Sequence, residues 1–155
     1  MNRRIVAGLL VVALVAAAGA SLLALRGGGD DPYERYCAEV EAQRGSLGEV
    51  LADGGTAALL EALPIFRLLE QKAPEDLVDE WATVTSHLER LADELDAAGV
   101  DPATYDREDP PDGVTKAERQ AIDDAATALG SPAMQAALAG VQQHARDVCK
   151  TPLVL

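Results

Sequence analysis

The side chains able to do chemistry in this chain of 155 residues are few and far apart. Cys37 and Cys149 are its two cysteines. No C-x-x-C spacing is present to lower a thiol pKa. In an oxidising compartment the pair therefore reads as a structural disulfide rather than a redox couple. It closes a very long loop, for which the chain-entropy model gives about 4 to 5 kcal/mol of stabilisation. There are two histidines. His87 falls on a polar helix face near Thr83 and Arg90 and reads as a solvated surface residue. His144 has Asp147 three residues on, a spacing that can orient an imidazole or hold a metal. No further ligand of known position accompanies it, so an ordinary structural histidine is the plainer reading. The acids Asp101, Asp106, Glu108, Asp109 and Asp112 can offer oxygen ligands to calcium. Their spacing departs from an EF-hand, and Pro110-Pro111 stiffens the segment, which favours a solvated acidic loop. Phosphate-loop, H-E-x-x-H, G-x-S-x-G and dinucleotide-binding patterns are all missing. The expectation is a non-enzymatic protein with no catalytic, cofactor-binding or metal residues, its one covalent device being Cys37–Cys149.

The elements that would carry these residues read as helices. Ala and Leu are abundant and β-branched residues few, and no strand pattern or repeat is found. Asp31, Pro32 and Glu34 form a helix start. The first helix then runs to about Ala52 with Tyr33, Tyr36, Cys37, Val40, Leu47, Val50 and Leu51 on one stripe. Arg44 falls on that stripe, where its stem can pack and its head can reach water. Gly54-Gly55 ends the helix. Thr56 to Lys72 is helical but interrupted at Pro64, which lacks an N–H. Its leucines and Phe66 make it the candidate central helix. Pro74 restarts the chain into a third helix running to about Ala98. Leu77, Val78, Trp81, Val84, Thr85, Leu88, Leu91, Ala92 and Leu95 form its inner face, and Trp81 with Phe66 reads as plain core. Gly99 stops it, and residues 100–114 form a loop long enough to be either functional or mobile. Thr115 with Glu118 is a capping box for a fourth helix, with Ala117, Ala121, Ile122, Ala125 and Leu129 inward. Gly130 ends it. Ser131-Pro132 opens a fifth helix with Met134, Ala137, Leu138, Val141, Ala145, Val148 and Cys149 inward, stopped by Thr151-Pro152. The expected fold class is all-α, a bundle of four to five helices closed by one disulfide and preceded by a single transmembrane helix.

That last expectation rests on the opening stretch. Ile5 to Leu25 contains no charge. At about 1.5 Å per residue it matches a hydrocarbon core of roughly 30 Å. Arg3 and Arg4 precede it, so the positive-inside rule places residues 1–4 in the cytoplasm and everything after the span outside. The rival is a signal peptide cut near Ala18-Gly19-Ala20, although apolar residues continue past that site. Residues 26–31, with Gly27-Gly28-Gly29, form a flexible linker, and 32–155 form the extracytoplasmic domain. The formal charge is −13. Arg3, Arg4 and Arg26 supply three of the thirteen cations, so residues 27–155 set ten against 26 acids and carry −16. A surface so acidic offers no basic patch to nucleic acid and is repelled by anionic lipid head groups.

Cys37, Phe66 and Leu69, the junction Ala73-Pro74-Glu75-Asp76-Leu77 and Cys149 together resemble a pattern found in uncharacterised exported or membrane-anchored proteins of actinobacteria. The excess of arginine over lysine agrees with that source. The resemblance implies an exported helical fold with a paired cysteine and adds no catalytic residue. Many such proteins anchor through a lipid-modified cysteine, from which this chain departs. The leading functional expectation is a membrane-tethered interaction module of the cell envelope with an envelope protein as partner. The alternative is a carrier of a small apolar ligand, haem or lipid, in a pocket between helices near Pro64, Phe66 and Trp81. Tyr33, Tyr36 or His144 would then be available to iron.

Overall fold

Helix α1, Pro32–Leu51, opens the computed structural model, which describes residues 31–52 and 54–154. The expected anchor at 5–25 and nearly all of the linker lie outside the described residues. Five further α-helices follow, and no strand occurs among the described residues. They are α2 at Gly55–Glu61, α3 at Leu63–Lys72, α4 at Val78–Ala97, α5 at Lys116–Leu129 and α6 at Pro132–Asp147. A 3₁₀ turn, Glu75–Leu77, leads into α4. From Pro32 onward the chain is one compact unit, and none of the described helices is long and apolar enough to cross a membrane.

The break expected at Pro64 falls at Ala62, between α2 and α3. Pro64 occupies the first turn of α3, where a missing N–H is no loss because first-turn donors have no partner within the helix. Ala62 itself keeps a helical conformation, and its carbonyl accepts from Phe66 N–H at 3.1 Å. The two helices therefore follow one another with Ala62 alone between them.

The central helix is α4 rather than the Leu-rich 56–72 segment. It packs against α3, α5 and α6, while α1 lies on α2 and α3. Its N-terminal half places Trp81, Val84 and Leu88 in the main core with Tyr36, Val40, Phe66, Leu69 and Val141. Its C-terminal half places Leu91 and Leu95 in a smaller cluster with Ile122 and Ala125 of α5. Four residues expected inside lie at the surface: Tyr33, Val78 and Val148 are 40%, 46% and 45% exposed, and Ala117 is also exposed. Each stands at or near a helix end, where the neighbouring helix no longer covers the stripe. The last helix also stops earlier than expected, at Asp147.

The helix ends follow local chemistry. Glu118 N–H donates to Thr115 Oγ1 at 3.2 Å, and Thr115 N–H donates to Glu118 Oε2 at 2.7 Å. The Thr115 N–H, and then its hydroxyl, hold the Glu118 carboxyl below its ordinary range. Ser131 Oγ accepts from Met134 N–H at 3.2 Å. At the end of α4, Gly99 has φ +66°. Its N–H donates to the Asp96 carbonyl at 2.9 Å, and Val100 N–H donates to that of Leu95 at 3.0 Å. This is a Schellman closure, which needs a left-handed residue at that position. Val100 then packs back on the Leu91–Leu95 cluster.

Candidate functional site

His144, the cysteines and the aromatics Tyr33, Tyr36, Phe66 and Trp81 gather around the N-terminal half of α4. Around its N-terminal half, the Cys37–Cys149 disulfide is formed, with its Cα atoms 5.0 Å apart. Beside Cys37, Tyr36 is fully buried, and its hydroxyl oxygen accepts the Trp81 Nε1–H at 3.1 Å. Burial outweighs that hydrogen bond, and the Tyr36 phenol is pushed up to about 12. It is a structural tyrosine that stays protonated throughout the neutral range.

His144 is 9% exposed, and neither ring nitrogen has a hydrogen-bond partner. Tyr33 stacks on the imidazole at 5.9 Å between ring centroids, and Tyr36 meets it edge-on at 5.5 Å. The carboxylate it faces belongs to Asp76 in the 3₁₀ turn, with Nε2 3.9 Å from Asp76 Oδ2. Asp147, the neighbour expected from spacing, is exposed. An i,i+3 pair on one helix requires both side chains to leave on the same face, and tertiary packing turned His144 towards α1 instead. His87 is half-buried rather than freely solvated. Its Nδ1 lies 2.8 Å from the Thr83 carbonyl, an acceptor, which fixes the proton on that nitrogen.

The surroundings of Phe66 and Trp81 are filled. The two rings lie 5.9 Å apart in a tilted contact, both buried in the main core. With Tyr36 bound to Trp81 and His144 between two tyrosine rings, these side chains are occupied with one another. Among the described residues no group of three or more His, Cys, Asp or Glu could hold a metal ion. Two of the loop acids have local work: Asp101 Oδ1 accepts Ala103 N–H at 2.9 Å, and Asp106 Oδ1 accepts Glu108 N–H at 2.8 Å. Such side-chain turns are the ordinary use of Asp in a loop.

Around the C-terminal half of α4 the packing opens. A cleft of about 460 Å³ lies between α2, α4 and the start of the loop, lined by Ala57, Leu60, Glu61, Ala92, Leu95, Asp96, Val100, Asp101, Pro102 and Ala103. A narrower one of about 260 Å³ runs under the loop, against Thr56, Leu91, Leu95, Tyr105, Ile122 and Ala126, with Arg107 and Asp123 at its edge. Arg107 Nε pairs with Asp123 Oδ1 at 2.8 Å and ties the loop to α5. Leu95 and Pro102 border both spaces. A third cleft, about 510 Å³, flanks α2 on the side of Leu51, Leu59, Ala126 and Leu129. Helix α2 thus stands among clefts. It has no side-chain cap, and it starts from Gly54 and Gly55, at φ +69° and +79°.

Sequence reasoning singled out the 100–114 loop and Asp101 within it, which lines the first cleft, but not the clefts themselves, because no motif marks empty space. The available signal was the density of small residues, with Ala57, Ala92, Ala103 and Ala126 among those that line the clefts. Small residues leave space where leucines would fill it. Comparison with protein-family models, with curated proteins and with solved structures finds no match.

Proposed function

We propose that the domain is a non-enzymatic interaction module of the bacterial cell envelope, tethered by the apolar run Ile5–Leu25, whose protein partner seats at the loop-bearing side of the bundle. The observation that carries this reading is the open cleft between α2, α4 and the loop, with an apolar floor and acidic edges. Protein interaction sites combine such exposed apolar surface with a polar rim. The filled core at Phe66 and Trp81 favours this reading over a carrier of haem or lipid, for which that core was the expected pocket. The tether is supported by the length of the uncharged run and by Arg3 and Arg4 ahead of it, as the positive-inside rule requires. Cleavage near Ala20 would instead release the same module, and the mass of the mature protein under non-reducing conditions separates the two.

The test is site-specific photo-cross-linking in native membranes. A photoreactive residue at Ala103, on the cleft edge, is expected to give a discrete adduct. The same residue at Gln143, exposed on α6, is expected to give none. No adduct from Ala103, or the same adduct from both positions, overturns the reading.

A further inference from the structure

We infer that the cleft between α2 and α4 accepts a basic amphipathic helix of the partner, apolar side chains seated between the two helices and lysines or arginines along the acidic edges. The inference rests on the interaction reading above and specifies the partner's chemistry. Its first ground is shape. Leu60, Leu95 and Val100 supply apolar surface, while Ala57, Ala92 and Ala103 at the same cleft are small enough to let another backbone approach closely. An apolar trough between two helices is the geometry in which an amphipathic helix inserts side chains from successive turns. The space, about 460 Å³, takes a few anchor side chains rather than an entire domain face.

Its second ground is charge. The ionisable residues lining this cleft are Glu61, Asp96 and Asp101, all acids and all exposed. The cleft has no lining cation of its own, and residues 27–155 as a whole carry −16, ten cations against 26 acids. A helix with acids beside its apolar face meets repulsion on every side, whereas one with lysines meets complementary charge, which governs encounter rate and partner choice. The narrower space under the loop differs, because Arg107 already neutralises Asp123 there. The charge-selective part of the surface is therefore the α2–α4 side.

The experiment uses the full chain in nanodiscs of zwitterionic lipid, so that the membrane does not itself attract a basic peptide. The probe is a fluorescent helical peptide with leucines at i, i+3, i+4 and i+7 flanked by lysines, read by anisotropy. Saturable binding is expected. Combining Glu61→Lys, Asp96→Lys and Asp101→Asn, the last keeping an oxygen for Ala103 N–H, should weaken it about tenfold or more, from the usual size of a few exposed charge contacts. A control with the same charge change elsewhere, Glu75→Lys, Asp147→Lys and Asp79→Asn, should weaken it less than about threefold. A peptide with glutamates for lysines, or alanines for leucines, should not bind. Equal weakening by both sets of substitutions, or no saturable binding, overturns the inference. If the peptide fails while the Ala103 cross-link forms, the partner's chemistry falls and the interaction site stands; if the cross-link fails, the site falls too.

Discussion

One helix, α4, serves two regions built to different standards. Around its first half, Trp81, Val84 and Leu88 are entirely covered by α1, α3 and α6. A buried Trp–Tyr hydrogen bond, a ring-sandwiched histidine and a disulfide sit in the same neighbourhood. Around its second half, Leu91 and Leu95 are also buried, among Ile122, Ala125, Leu60, Leu129 and the loop residues Val100 and Tyr105, but clefts remain on either side of Leu95. Both halves bury their leucines, yet only the first is packed with fully or nearly fully buried aromatic rings, Tyr36, Phe66 and Trp81. The difference teaches that the two ends are filled by different means: large rings and a cross-link close one end, and small residues leave clefts at the other.

The contrast can be broken most directly at the disulfide. Replacing Cys37 and Cys149 by serine frees a loop spanning 112 positions and should cost about 4 to 5 kcal/mol in the chain-entropy model, read by urea unfolding. A loss below about 1 kcal/mol would mean that the aromatic packing alone secures that end.

Matched truncations sharpen it next. Leu88→Ala leaves a cavity among large covered neighbours and should cost towards the upper part of the usual 2 to 5 kcal/mol for such a change. Leu95→Ala borders existing clefts, where the surroundings can relax or admit water, and should cost towards the lower part of that range. Amide exchange should likewise show α2 opening at lower free energy than the Trp81 turn. Equal losses at Leu88 and Leu95 would remove the distinction.

Tyr36 offers a smaller effect with a pH signature. Tyr36→Phe strands the buried Trp81 N–H and should cost about 1 to 3 kcal/mol. In the native protein the Tyr36 phenol lies near 12 against 10 for an ordinary tyrosine. Above pH 10 the unfolded chain releases this proton first, so stability present below pH 10 should fall as pH rises towards 12. Tyrosinate absorbance should show one residue titrating late, and Tyr36→Phe should abolish that step and the part of the alkaline stability loss it causes.

The smallest expected effect is at Lys150, whose φ of +57° is left-handed and costs a non-glycine residue roughly 1 to 2 kcal/mol. Lys150→Gly removes the side chain's bond to the Asp147 carbonyl along with that cost, and should leave the protein more stable by less than about 1 kcal/mol. A loss of stability would show that the lysine's bond outweighs its backbone strain.

Much of this architecture was legible from residue order because its causes are local. A capping box needs only Thr115 and Glu118 three apart, a Schellman stop needs Gly99, and a break near Pro64 needs only a missing N–H. Pairing of Cys37 with Cys149 was expected from two cysteines in a domain read as exported, and the disulfide is formed. The failures came where a neighbour distant in the chain decided the outcome. His144 turned to Asp76 and two tyrosines rather than to Asp147, and the central role went to α4 rather than the more apolar 56–72 segment. The clefts beside Leu95 had no motif to announce them.

By itself, then, the order of residues determined that the described chain is helical, where most helices begin and end, which cysteines join and how acidic the surface is. Each of these depends on side chains within a turn or two, or on composition. Only tertiary structure decided which helix became the spine, which acid faces the buried imidazole and where space was left over. Those outcomes depend on how volumes from separate segments fill a shared interior, and the size of a gap is a property of all its walls together rather than of any one of them.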